Sequence, residues 1–98
     1  MLIYEVTVHL QHSDEEAFRG FMVEAHIPDI LSTGCFDHVS FQRLADQHFR
    51  THYYALQQED LDRYLTTFAP QFRKDFIQQF PGENQVERQV WQVVQTWT

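Results

Sequence analysis

A chain of 98 residues sits at the low end of single-domain size, so one core is its limit; at 43% apolar composition, with nine Phe, large side chains can build that core without metal or disulfide. Fourteen Asp and Glu face seven Lys and Arg, and the arginines at 19, 43, 50, 63, 73 and 88 are interleaved with acids, which excludes nucleic-acid and anionic-membrane partners. The lone Cys35 excludes an intrachain disulfide, and the opening Met1-Leu2-Ile3-Tyr4-Glu5 carries neither a basic leader nor a long apolar run. The expectation is one soluble, cytoplasmic domain spanning residues 1–98.

Residues 2–10 alternate, with Leu2, Tyr4, Val6, Val8 and Leu10 on one face and Ile3, Glu5, Thr7 and His9 on the other, which predicts a strand packed on one side. Ser13-Asp14-Glu15-Glu16 follows as a helix start, in which Ser13 caps and Glu16 reaches back. Ala17, Phe18, Phe21, Met22 and Ala25 form the buried stripe of this first helix. Pro28 predicts a break that turns the chain near His26, then a short turn through Ile30 that Gly34 ends.

A second strand is expected from Cys35 to Leu44, with Cys35, Val39 and Phe41 on one face and Phe36, His38, Ser40 and Gln42 on the other. Ala45-Asp46-Gln47 reads as a turn into a third strand, His48 to Gln57, whose inward face the pattern leaves open between Phe49, Tyr53, Ala55 and Tyr54, Leu56. Glu59 and Asp60 open a second helix with the stripe Leu61, Leu65, Phe68, Phe72 and Phe76. Pro70 inside that stripe predicts a kink or a restart. Pro81-Gly82 ends the helix, and a last alternating strand runs from Gln85 to Trp97.

The order is βαββαβ, an α+β ferredoxin-like sandwich in which two helices cover one face of a four-stranded antiparallel sheet. The other face carries Phe36 and Trp91 beside Glu5, Thr7, His9, His38 and Ser40, too apolar for solvent and too polar for a core. Such a face predicts a homodimer.

The stretch His26-Ile27-Pro28-Asp29-Ile30-Leu31-Ser32-Thr33-Gly34-Cys35-Phe36 resembles a small, mostly bacterial family known as domain of unknown function 4286. The similarity extends to Ile3-Tyr4-Glu5-Val6-Thr7-Val8, to Tyr64-Leu65 and to Ala69-Pro70 with Arg73. It implies the dimeric α/β-barrel type of ferredoxin-like fold, similar in architecture to antibiotic-biosynthesis monooxygenases, and it implies no reaction. Members of the family carry His before the Ala-Pro pair where this chain has Phe68, so no role is carried over for that histidine.

Three residues stand out as ligand-orienting or acid-base groups: His26 beside its proline turn, His38 and Tyr54. At a helix end His26 can equally serve the last carbonyls. Cys35 becomes a nucleophile only if His26 reaches it, and otherwise is a small buried hydrophobe. A metal site from His26, His38, His48 and His52 fails on geometry, since His48 and His52 on one strand lie about 13 Å apart at roughly 3.3 Å per residue. No phosphate loop or Gly-rich fingerprint is present, and no cofactor is expected. Two functions fit: a homodimer that binds a small organic ligand in a sheet cleft, monooxygenase- or isomerase-like by fold analogy, or a non-catalytic interaction module.

Overall fold

Strict alternation commits each strand to one side, and the computed structural model, which describes residues 1–82 and 85–98, joins four of them: β1 (Leu2–His9), β2 (His38–Ala45), β3 (His48–Ala55) and β4 (Gln85–Gln92). They form one antiparallel sheet in the order β2-β3-β1-β4. Tyr4 pairs with Tyr53 and Val90, and Val8 with Phe49 and Val86, so these side chains share the face under the helices. The register the sequence left open is thereby fixed, with Phe49, Thr51, Tyr53 and Ala55 inward and all buried. Tyr54 points the other way, beside Ile3 and His38.

Two long helices cover that face, and each is built in three pieces. The first runs α1 (Glu15–Phe21), a π-helical turn (Met22–His26) and α2 (Ile27–Leu31); the second runs α3 (Gln58–Arg63), a π-helical turn (Tyr64–Phe68) and α4 (Ala69–Gln79). Asp14, not Ser13, is the first helix's N-cap, and its carboxylate accepts the Glu16 amide at 3.1 Å. The predicted break at Pro28 does not occur, because Ile27 stays helical at φ −66° and ψ −46°. Its N–H donates five residues back to the Met22 carbonyl, and the Ala69 N–H, just before Pro70, donates five back to the Tyr64 carbonyl. Proline has no N–H and crowds the carbonyl four residues earlier; a widened turn relieves both without ending the helix.

The extra residue in each widened turn moves the buried stripe. On the second helix Leu61, Tyr64, Ala69 and Phe76 are buried, while Leu65 and Phe68, assigned to the stripe by three-to-four spacing, are only half-buried. On the first helix the stripe that begins Phe18, Met22 continues to Ile30, and Gly34, at φ 75°, ends the turn after α2.

Several strand ends also differ from the pattern, β1 stopping at His9 and β3 at Ala55 rather than Gln57. The second strand starts at His38 rather than Cys35, so alternation does not reach Phe36, which turns into the core 5.2 Å from the Tyr53 ring and 4.9 Å from Tyr64. The last strand stops at Gln92 instead of Trp97, because β1, its only neighbour, begins at Leu2. Val93 makes one more bond, to the Met1 carbonyl, and Trp97 beyond it is exposed.

The core divides in two along the sheet. One half gathers Tyr4, Phe36, Tyr53, Leu61 and Tyr64; the other gathers Val8, Phe18, Phe49, Phe76 and Phe80, and Val6 touches both. Phe18 is wholly buried, with its ring 5.2 to 6.1 Å from those of Phe41, Phe49, Phe76 and Phe80. Removing a ring so enclosed costs about 3–5 kcal/mol in lost transfer energy and cavity formation. Phe18→Ala is therefore expected to lower the urea midpoint severely, and a loss under about 1 kcal/mol would show that the second half of the core tolerates collapse.

Candidate functional site

Between the two halves of the core the helices and sheet do not close completely, and a cavity of about 50 Å³ remains. Its floor is Tyr4, Val6 and Val8 of β1, Thr51 and Tyr53 of β3, and Val86 and Arg88 of β4; its roof is Met22, His26 and Ile30 from the first helix and Tyr64, Phe72, Arg73 and Phe76 from the second. His26 and Tyr64 belong to the two widened turns. At that size the space suits a few waters, not a whole substrate, so a larger guest enters only as the helix layer gives way.

The wall is aromatic with few polar groups. Tyr4 lies 5.9 Å from both Tyr53 and Tyr64 by ring centroids, and Tyr64 stacks on Phe72 at 6.3 Å and 13°. Arg73 Nη2 donates to the Tyr4 hydroxyl at 3.2 Å. Burial pushes the Tyr53 and Tyr64 phenols well above their ordinary pKa, so both remain protonated hydrogen-bond donors. Burial also holds His26 below the usual imidazole value, against the pull of Asp75 and Asp29, and its ring packs on Phe21 at 5.0 Å and edge-on to Phe72 at 5.7 Å. A neutral imidazole, phenolic donors and two guanidinium groups thus converge where no carboxylate lines the wall. Such a set can orient an organic molecule, accept a proton at His26 and stabilise negative charge beside the arginines.

Of the residues the sequence singled out, only His26 lies here. His38 and Tyr54 are on the opposite face of the sheet, where their rings stack 4.0 Å apart at 10° and His38 Nδ1 lies 2.8 Å from Asp37. No hydrogen bond joins His26 to Cys35 among the described residues; Cys35 is buried with Sγ 4.0 Å from the Thr33 carbonyl oxygen. Spacing did not expose Tyr4, Tyr64, Arg73 or Arg88 as wall residues, and it left Tyr53 open as an alternative to Tyr54. Arg88 did leave a signal, a cation between Val86 and Val90 in an inward row.

The open face has its own network. Glu5 Oε1 lies 2.7 Å from His52 Nε2, Trp91 Nε1 donates to Glu5 Oε2 at 3.3 Å, and Arg50 stands 3.9 Å from the same carboxylate. The His52 hydrogen bond holds the Glu5 carboxyl below the usual carboxylate range, with Trp91 and Arg50 adding to it against burial. His9 and His48 pack with ring centroids 3.7 Å apart. Among the described residues no three His, Cys, Asp or Glu gather as metal ligands, and no helix is long and apolar enough to cross a membrane.

Because the folded His26 pKa is depressed, the unfolded chain takes up that proton first. The stability linked to it is fully present above the unfolded value, about pH 6.5, and is lost as pH falls through the window below it, by at most about 1.4 kcal/mol per unit. His26→Phe is expected to lose less melting temperature than the parent between pH 6.5 and 5. Parallel curves from the two proteins would remove burial of His26 as a factor.

The fold has solved counterparts. A protein of the ethyl tert-butyl ether degradation (EthD) family from Bacillus halodurans superposes with a TM-score of 0.73 at 14% identity, covering 96% of this chain and 100% of its own. SnoaB, a cofactor-independent oxygenase from Streptomyces nogalater, superposes with a TM-score of 0.74 at 12% identity, covering 97% of this chain and 94% of its own. At such identities the likeness establishes the ferredoxin-like βαββαβ fold alone. No curated protein matches the chain. With residues 1–94 matching its family description, the chain belongs to the family of domain of unknown function DUF4286.

Proposed function

We propose that this protein is a homodimer that binds a small organic molecule in the cavity between its sheet and its helix layer. The observation that carries the reading is a half-buried His26, its pKa lowered by burial, lining one largely apolar space with phenols and arginines. His26 is the proton acceptor of the site, and the Tyr53 and Tyr64 hydroxyls are donors to a developing oxyanion. Chemistry of this kind needs no bound metal, and a solved fold neighbour is described as a cofactor-independent oxygenase. An oxygenase or isomerase acting on an activated carbon acid suits the set.

His38 and Tyr54 then serve assembly. The open face spans four strands of eight residues, roughly 26 Å by about 19 Å, so two copies meeting there bury about 1,000 Å² in total, the lower bound of a specific interface. Half-exposed Trp91 supplies an aromatic anchor, and the face's central carboxylate, Glu5, already has hydrogen-bond partners in His52 and Trp91. The non-catalytic reading, a module that only mates through this face, rests on the same network and leaves the cavity unused.

Two measurements test the proposal. A broad metabolite panel scored by melting temperature is expected to yield a hit whose NMR shifts centre on His26 and Tyr64; a panel without a hit, or shifts confined to His38 and Tyr54, would overturn the ligand reading. Light scattering at micromolar concentration is expected to give a dimer that Thr7→Arg, in the middle of the open face, splits into monomers. A monomeric parent protein would rule out self-mating.

A further inference from the structure

The six arginines are not used alike. Arg43 is bonded to Glu15 and Asp46, Arg50 to Gln42 with Glu5 nearby, and Arg63 lies 3.7 Å from Asp60, while Arg19 acts on Glu15 through space. Among the described residues Arg73 has a single side-chain bond, to the Tyr4 hydroxyl, and Arg88 has neither a hydrogen bond nor an ion pair. These two are the arginines that line the cavity. Both act on the Tyr64 phenol, lowering its pKa against the effect of burial, and Arg88 acts on Tyr53 in the same way. In a chain with a formal net charge of −7, carboxylates are abundant, yet none lines this wall.

We infer that the cavity is selective for a flat organic carboxylate, with its ring among Tyr64, Phe72 and Tyr4 and its carboxylate held at the mouth by Arg73 and Arg88. The inference rests on the cavity reading and adds the charge and shape of the guest. A guanidinium presents several N–H donors in a planar fork that matches a carboxylate, and two such forks with one bond between them leave most of those donors open. The stacked Tyr64 and Phe72 rings accept a planar guest by offset stacking. The present space is about 50 Å³, against about 150 Å³ for an apolar cavity that admits benzene. Ring entry therefore displaces Phe72, while the carboxylate stays at the solvated edge, where its desolvation costs least.

Calorimetric titration with benzoate and with its neutral, near-isosteric counterpart benzamide separates the possibilities. The intact protein is expected to bind benzoate at least tenfold more tightly than benzamide, with the benzoate affinity falling as sodium chloride rises. Arg73→Gln, Arg88→Gln and the double variant, each checked for folding by circular dichroism, are expected to erase that preference while keeping benzamide affinity within about twofold. Val86→Phe, which fills the cavity floor, is expected to abolish both. Equal affinities in the intact protein, or a preference that survives the double arginine variant, would overturn carboxylate selectivity and leave the cavity reading standing. Benzoate binding that survives Val86→Phe would place the anion on surface arginines and overturn the inference. Binding of neither compound at millimolar concentration would overturn the inference, while the cavity reading stands or falls on the metabolite panel; the two intact-protein titrations do not depend on any variant folding.

Discussion

Two prolines without backbone N–H groups govern which helix side chains fall over the sheet. Regular α-helix advances 100° per residue, so a row of positions four apart drifts about 40° per step and leaves the sheet within three steps. Phe18, Met22, His26 and Ile30 are such a row, yet Phe18, Met22 and Ile30 are all buried and His26 lines the cavity. The widened turn that Pro28 demands takes up one extra residue and brings the row back over the sheet. On the second helix the same adjustment before Pro70 puts a step of five between buried Tyr64 and Ala69. His26 and Tyr64 thus face the cavity because each lies in the turn that the proline loosens.

The sheet beneath turns period-two alternation into a separation of tasks. One face holds the tyrosines, Phe49 and the paired valines and keeps the helices; the other holds Glu5, His9, His38, His48, His52 and Tyr54, four of the six histidines in the chain. A partner on the open face therefore touches none of the cavity floor directly, and the floor residues sit one backbone away from that partner. Glu5 and Tyr4 are consecutive, as are His52 and Tyr53. A partner on the open face would reach the Tyr4 and Tyr53 phenols only through the backbones of β1 and β3.

Much of this was legible in the residues. The βαββαβ order, the inward row of β1, the polar open face and the alternation of β4 follow from periodicity, because a side chain's face on a strand is set by parity alone. The misreadings share one cause, a backbone event that shifts phase. Pro28 was read as a stop because proline's penalty assumes a regular α-turn, and the π turn that absorbs it leaves no spacing signal of its own. Counting across Pro70 in threes and fours put Leu65 and Phe68 inside and left Tyr64 out. Phe36 was given to the open face by extending alternation through residues that are not strand. The cavity itself was out of reach, since it arises where two helices fail to close over β1, and no single element records that.

The cavity has an energetic cost. Left dry, some 50 Å³ would cost roughly 1 kcal/mol at about 24 cal/mol per Å³, and the few waters it suits offset part of that. One added methylene from Val6, Val8 or Val86 would recover part of it. Instead the space borders a half-buried histidine whose pKa burial lowers, two phenols whose pKa burial raises, and two guanidiniums at its exposed side. Holding an imidazole and two phenols beside such a space costs desolvation that apolar side chains would not, even though every buried side-chain polar atom among the described residues has a partner. A wall built only to hold two halves of a core together would remove such groups first. Their concentration at the seam that Val6 spans is what supports the proposed ligand reading, and stability alone does not account for it.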